Sequence, residues 1–145
     1  MLSNKVKDFL RKQGWWYEDA SEEYKGALLA LEVDLESEFA EFYLHAEDGP
    51  TFHYRSYEIY QVCWFSINSN YKLDIKRTHE YLGLPEDYIP LDSFQGECGF
   101  FYNRRTGEVL ELSLGLSMKD FIEGRLKPQW KEFNSFIEWF FELSD

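Results

Sequence analysis

The sequence predicts an α+β domain in which helices pack against a mixed, mostly antiparallel sheet. Apolar residues recur at helical spacing near both ends of the chain, and between them the period changes to the alternation typical of strands. Of the 145 residues, 44% are hydrophobic and 19% are aromatic, which is enough apolar material to build a core. A chain of this length fits one ordinary domain, so a single domain is predicted for residues 1–145.

Three helices are predicted before the sheet. The first covers residues 3–13, with Ser3 as its N-cap and Gly14 directly after it. The second covers residues 21–31, with Ser21 as its N-cap. The third opens at Asp34 or Leu35 and ends at Gly49 and Pro50. This third helix is predicted to bury one aromatic face and to expose an acidic face; the two sets are Leu35, Phe39, Phe42, Tyr43 and Ala46, and Glu36, Glu38, Glu41 and Glu47.

The middle of the chain carries the strand signals. Residues 51–65, including the run from Val62 to Phe65, are predicted as strand because they are rich in β-branched and aromatic residues. Three segments follow: a polar loop at 66–71, an ambiguous segment at 75–82 that fits one turn of helix, and more sheet at 84–91. The strongest hairpin signal is the pair 96–103 and 108–113 around a turn ending at Gly107. A closing amphipathic helix is predicted for residues 131–143.

The charge is unevenly spread along the chain. The net charge is −12, and the segment from Glu18 to Asp48 holds eleven acids against a single base, Lys25. A negative field of this kind disfavours nucleic acid as a partner, since phosphates are bound by Lys and Arg. It favours a basic protein partner and speeds the encounter with it. The other interpretation is that acidic helix faces only keep an aromatic-rich protein soluble.

Sequence motifs for catalysis, metals and phosphates are missing. The two cysteines, Cys63 and Cys98, are far apart in apolar stretches, which predicts buried free thiols in a reducing cytoplasm. The three histidines are isolated, so no metal and no cofactor is expected. Neither a G-x-S-x-G elbow nor a glycine-rich phosphate loop occurs. The many carboxylates are interpreted as solvated helix faces and not as a catalytic acid–base pair. Because no run approaches roughly 20 apolar residues, a cytoplasmic protein without a membrane span is expected.

A binding surface is the remaining hypothesis. The aromatic residues Trp15 and Trp16 precede the acids Glu18 and Asp19, and aromatic anchors inside a charged rim are typical of interface hot spots. The candidate partner-binding residues are Glu36, Glu38, Glu41, Glu18, Asp19, Trp15 and Trp16. The alternative for the two tryptophans is that they fasten the first helix to the core.

The order of several short motifs resembles the SUKH superfamily of bacterial immunity proteins, which shares its fold with fungal cell-wall synthesis regulators. Three stretches carry the resemblance: an acidic-apolar entry to a helix that ends in a glycine turn, a strand pair around a "TGEV"-like turn, and a closing "SF-x-x-F" helix. Their residues are 31–35 with Phe39, Phe42, Tyr43 and Gly49; 84–91 with Gly96, 101–103 and 106–109; and 133–140.

This resemblance implies a non-enzymatic, α+β immunity protein. Such a protein neutralises a cognate secreted or contact-dependent toxin, often a nuclease, by occluding it, and no catalytic residues transfer. One alternative is a regulatory or scaffold protein of the same fold with endogenous protein partners. A second is a small hydrolase whose site combines remote acids, or Cys63 with a histidine, in a concave pocket.

Overall fold

The α+β class is confirmed by the computed structural model, which describes residues 1–143. Within that range seven α-helices accompany two separate antiparallel sheets, one of two strands and one of three. The helices are α1 (Asn4–Gln13), α2 (Glu22–Ala30), α3 (Glu38–His45), α4 (Val62–Asn68), α5 (Tyr71–Lys76), α6 (Leu116–Ile122) and α7 (Phe133–Phe140). The strands are β1 (Thr51–Tyr54), β2 (Tyr57–Tyr60), β3 (Tyr88–Pro90), β4 (Cys98–Asn103) and β5 (Val109–Ser113).

The first two helices begin where their caps predict. The Ser3 hydroxyl accepts a hydrogen bond from the Val6 N–H, and Gly14 ends α1 with φ of 78°, in the left-handed region that glycine tolerates. The Ser21 hydroxyl accepts from the Tyr24 N–H in the same way. For α3 the predicted start was wrong, because Ser37 is the cap, its hydroxyl accepting from Ala40, and the helix ends at His45.

The prediction of strand for residues 62–65 was wrong, because these residues open α4. The buried Gln61 causes the switch. Its side-chain oxygen accepts from the Cys63 N–H at 2.8 Å, while its amide nitrogen donates to the carbonyls of Tyr43 and Ala46. A fully buried amide that bonds on both sides fixes the chain at the point where the strand gives way to a helix.

The segment after α4 is more helical than the sequence predicted. The loop assigned to residues 66–71 is only its middle, since α4 continues to Asn68 and α5 begins at Tyr71. The ambiguous segment is a π-helical turn, Arg77–Tyr81, that continues directly from α5. Helix α6 was not predicted, and the closing helix begins at Phe133 rather than at residue 131.

The predicted hairpin is confirmed as β4 and β5, with β3 on the other side of β4. Side chains of β4 alternate as predicted between the two faces of the sheet. Phe100 and Tyr102 lie in the main core, which the helices α1, α3, α4 and α7 and the β1–β2 hairpin share. Phe101 lies in a second, smaller cluster with Leu110, Leu112 and residues around α6.

The two cysteines differ in exposure. Cys63 is buried, as predicted, but the prediction for Cys98 was wrong, because it is exposed at the first position of β4. Among residues 1–143, no helix has the length and apolar character to cross a membrane.

Candidate functional site

A groove lies within the acidic segment, between the chain that follows α1 and the chain that follows α3. Its volume is about 440 Å³, and we call it the acidic groove. Its lining residues come from the 17–24 and 44–47 stretches: Tyr17, Asp19, Ser21, Tyr24, Leu44, His45, Ala46 and Glu47.

Backbone pairing forms one wall of the acidic groove. The Tyr17 N–H donates to the His45 carbonyl at 2.7 Å, and the Glu47 N–H donates to the Trp15 carbonyl at 2.9 Å. This short antiparallel bridge, centred on Trp16 and Ala46, pulls the chain out of helical geometry after His45. The pairing therefore explains why α3 stops before the glycine turn that the sequence suggested.

The three consecutive aromatics, Trp15, Trp16 and Tyr17, differ in their surroundings. Trp15 packs into the main core, with its ring centroid 6.0 Å from Phe9 and 6.2 Å from Phe52. Trp16 instead stacks on the His45 ring at 4.9 Å, and Tyr17 is 54% exposed. Trp15 thus fastens α1 to the core, Tyr17 lines the groove, and Trp16 supports the groove from behind through His45.

The carboxylates that line the groove (Asp19 and Glu47) and the adjacent Glu18 differ in their exposure and in their partners. Glu18 is largely exposed and lies 3.7 Å from the Arg11 guanidinium, and Asp19 is exposed with no ion pair within residues 1–143. Glu47 accepts a hydrogen bond from the Tyr24 hydroxyl; burial, with that bond, raises the pKa of Tyr24. The Tyr24 hydroxyl therefore stays protonated at neutral pH and orients the Glu47 carboxylate beside the groove. Carboxylates next to aromatic rings form a suitable environment for an ammonium or guanidinium group.

Two of the predicted site residues are engaged inside the fold. Glu41 is only 17% exposed; it accepts from the Leu2 N–H at 2.8 Å and pairs with the Lys7 ammonium at 3.0 Å. Glu38 is 23% exposed and accepts from the Asn134 N–H at 2.9 Å. The expectation that the acids of α3 form a water-exposed face was wrong for these two, because they connect α3 to α1 and α7.

Glu36 behaves differently from the other acids predicted on the third helix. It precedes α3, it is exposed, and its N–H donates to the Asp34 carboxylate at 3.0 Å. Of the candidate binding residues, the structure therefore places Asp19 in the lining of the acidic groove, with Glu18 next to it in the chain and Trp16 stacked on the lining residue His45. It leaves Glu36 exposed and places Trp15, Glu38 and Glu41 inside the packing.

A second cavity, which the sequence did not reveal, lies between the β1–β2 turn and the β4–β5 hairpin. Its volume is about 340 Å³, and we call it the carboxylate cleft. Its lining residues are Ser56, Tyr57, Glu58, Asp92, Ser93, Gln95, Gly96, Cys98, Gly99, Phe100 and Glu111. The expectation that carboxylates lie on solvated helix faces does not hold here, because strands and loops bring Glu58, Asp92 and Glu111 together.

Asp92 is the most perturbed acid of the carboxylate cleft. Burial raises the pKa of Asp92 to about 7, although its carboxylate accepts from the N–H groups of Phe94 and Phe100 and lies in the field of Arg77. Burial also raises the pKa of Glu111. Gly99 is the residue that allows this packing, since a Cβ there would lie 2.6 Å from the Asp92 Oδ1 atom and 2.8 Å from the Phe94 ring.

The cysteines and histidines do not form a nucleophile–base pair within residues 1–143. The Cys63 thiol contacts the Tyr24 carbonyl at 3.7 Å, and burial, with the nearby Glu47 carboxylate, raises the pKa of Cys63 to about 12. Each histidine contacts a different oxygen: His45 contacts the Tyr17 carbonyl, His53 contacts the Glu58 carboxylate, and His79 contacts the Tyr88 carbonyl. In the same range, no group of three or more His, Cys, Asp or Glu side chains is arranged to hold a metal ion.

Comparison of this chain with protein-family models, with curated proteins and with solved structures finds no match.

Proposed function

We propose that this protein binds a basic protein partner through the acidic groove, and that it acts as an immunity protein which neutralises a toxin by occlusion. The observation that carries the proposal is the groove itself. It combines concavity, the exposed Asp19 carboxylate, the partly buried Glu47 carboxylate and two tyrosine rings, and it forms where the two ends of a segment with eleven acids and one base meet.

The chemistry of the groove favours a cationic side chain as the anchor of the partner. A Lys or Arg that enters it would lie beside the Tyr17 and Tyr24 rings and close to the carboxylates of Asp19 and Glu47. Cation–π attraction and charge-assisted hydrogen bonds both strengthen as water is excluded, which happens when the partner covers the groove. Tyr17 is the aromatic residue that loses the most exposure in such a complex.

Long-range charge adds speed to this recognition. The field of residues 18–48 would steer a basic surface towards the groove before contact forms. At physiological salt the Debye length is about 8 Å, so this steering weakens as salt increases.

The toxin as partner follows from the resemblance to the immunity proteins of the SUKH superfamily. A nuclease toxin grips phosphates with Lys and Arg, and an acidic protein that covers this surface blocks substrate access without any chemistry of its own.

Two alternatives make different demands. The hydrolase hypothesis requires perturbed carboxylates in a cavity, which the carboxylate cleft contains. However, the Asp92 carboxylate accepts hydrogen bonds from the N–H groups of Phe94 and Phe100, and these bonds give Asp92 a structural role in its loop. The regulatory alternative requires several endogenous partners and no toxin gene in the neighbourhood, so the gene order around this one separates it from the immunity proposal.

The test measures binding to the product of the neighbouring toxin-like gene. Reversing Glu18 and Asp19 together (E18K/D19K) should slow association by about tenfold at low salt and abolish protection of cells that express the toxin. Tyr17→Ala should instead speed dissociation, since it removes an anchor but no charge.

The matched control reverses Glu80 and Glu86, two exposed acids outside the acidic segment, and changes the net charge by the same amount. It should leave association within about threefold of the wild type. Equal losses in both double variants would mean that net charge alone acts, and unchanged binding in E18K/D19K would overturn the role of the groove.

A further inference from the structure

A third groove, on the outer side of α2, has no role in the proposed function. We call it the helix groove; its volume is about 270 Å³. It lies between α2 on one side and α4 with α5 on the other. Its lining is mostly apolar and includes Ala27, Ala30, Leu31, Ile67, Tyr71 and Ile75, with Lys72 at the α5 side. The Ser66 hydroxyl, which also lines it, is buried and makes no hydrogen bond within residues 1–143.

The second half of α2, residues 26–30, is unusually apolar for a helix at the surface. Leu28 points into the core, yet Gly26, Leu29 and Ala30 on the other sides are exposed, Leu29 by 59%. An exposed apolar surface on a helix often marks a contact with other protein. By contrast, the exposed face of α1 carries Lys5, Asp8, Arg11 and Lys12.

The two walls of the helix groove carry opposite charges. Glu23 lies one turn before Ala27, on the same face of α2. On the other wall Lys72 and Lys76 are one turn apart on α5, so they share a face. Glu23, Lys72 and Lys76 are all exposed, and none forms an ion pair within residues 1–143.

This arrangement matches a second copy of the same chain. A uniformly basic partner would be repelled at the lysine wall, and a uniformly acidic partner at the α2 wall. Two copies related by a two-fold axis present an acidic α2 to a basic α5 twice, as an isologous interface requires. We propose that this protein self-associates through the helix groove, with α2 of each copy packed against α5 of the other and Glu23 paired with the partner's Lys72 and Lys76.

The net charge of −12 opposes self-association, so the experiment is made where that repulsion is screened. At an ionic strength near 0.15 M the Debye length is about 8 Å, and only charges close to the interface act. Sedimentation or light scattering from about 1 to about 500 µM should show a monomer–dimer equilibrium. A monomer throughout this range would overturn the proposal.

A charge-swap series locates the interface. The variant K72E/K76E should weaken dimerisation by about tenfold or more, and adding Glu23→Lys should restore it to within about threefold. The control K119E/K127E makes the same change in net charge at exposed lysines in and after α6, and it should have less than about a threefold effect. A dimer weakened equally by both double variants, or not rescued by Glu23→Lys, would contradict the pairing.

A steric variant tests the apolar contact independently. Ala30→Glu places a charge at an exposed position in the last turn of α2, where the cost to the helix is below about 1 kcal/mol, and should abolish the dimer while the circular dichroism spectrum stays unchanged. Ile122→Glu, at an apolar residue of α6 that is 62% exposed, should leave the dimer intact. A dimer that survives Ala30→Glu would show that another surface forms it.

Discussion

The acidic groove and the carboxylate cleft are both concave and both contain carboxylates, yet they arise in opposite ways. In the groove, the lining acids Asp19 and Glu47 belong to one acid-rich segment, residues 18–48, and Asp19 is exposed to water. In the cleft, Glu58, Asp92 and Glu111 come from distant parts of the chain, and Asp92 is largely removed from water.

This comparison distinguishes acids that act together through a long-range electrostatic field from an acid whose own protonation the fold changes. Exposed acids that repeat along a sequence create a long-range potential, but each of them keeps nearly ordinary chemistry in solvent. A single acid that the fold desolvates contributes little to that potential, yet its protonation becomes coupled to folding. Counting charges along the chain finds the first kind and misses the second.

Asp92→Asn should produce the largest effect and tests the desolvated acid directly. The folded-state pKa of about 7 lies above the usual value near 4, so the stability that the protonated carboxyl contributes is fully present below about pH 4. It decreases as the pH rises to about 7, because the unfolded chain loses its proton before the folded protein does. This loss corresponds to about 4 kcal/mol, and Asn, which cannot ionise, should not show it.

The measurement is the free energy of unfolding of wild type and Asp92→Asn between about pH 4.5 and 8. The wild type should lose stability relative to the variant as the pH rises, so that the variant is the more stable protein at pH 8. A constant difference across this range would show that Asp92 is as well solvated in the cleft as in the unfolded chain.

Gly99→Ala should have the next largest effect, because the new Cβ would lie 2.6 Å from the Asp92 Oδ1 atom and close to the Phe94 ring. Overpacking of this kind costs about 2 kcal/mol in the free energy of unfolding. Gly26→Ala in α2 is the matched control: its Cβ would meet no atom within 4 Å, and helix propensity predicts a gain of up to about 1 kcal/mol. Chemical denaturation of both variants at low protein concentration separates the two; a neutral Gly99→Ala would mean that the 92–94 loop moves freely.

Local signals predicted much of this fold. The helix ends could be predicted because the caps Ser3, Ser21 and Gly14 act on backbone groups within one turn. The hairpin of β4 and β5 could be predicted because it depends on a short turn and on the alternation of apolar residues. The switch from β2 to α4 could not, because it depends on Gln61 reaching Tyr43 and Ala46 across the core. A buried polar side chain gives no periodic signal by which its partners could be found.

The candidate site was predictable in part for the same reason. The density of acids in residues 18–48 indicated the segment that forms the acidic groove, and Asp19 lines that groove. Tyr17 is the exposed aromatic of that groove, but pairing of residues 15–17 with 45–47 decides which of the three aromatics faces out. The contacts of Glu38 and Glu41 with Asn134, Leu2 and Lys7 likewise depend on how α3 meets α1 and α7.

Glu41→Ala and Glu36→Ala compare a partly buried acid with an exposed acid in the same acidic segment. The difference between their free energies of unfolding should be the smallest of the effects predicted for stability. Burial alone would raise the pKa of Glu41, but the hydrogen bond from the Leu2 N–H and the Lys7 ammonium outweigh it and lower that pKa. Glu41→Ala should therefore cost about 1–2 kcal/mol in the free energy of unfolding, since it leaves two partners unsatisfied at a partly buried position.

Glu36→Ala removes an exposed carboxylate and should change the free energy of unfolding by less than about 0.5 kcal/mol. The Glu41 contribution is present at neutral pH, above the unfolded pKa near 4, and it should disappear as the pH falls through the lowered folded pKa. If the two alanine variants unfold alike at pH 7, then the acids of α3 are solvated after all, and the distinction between acids that fasten the helices and acids that face a partner does not hold.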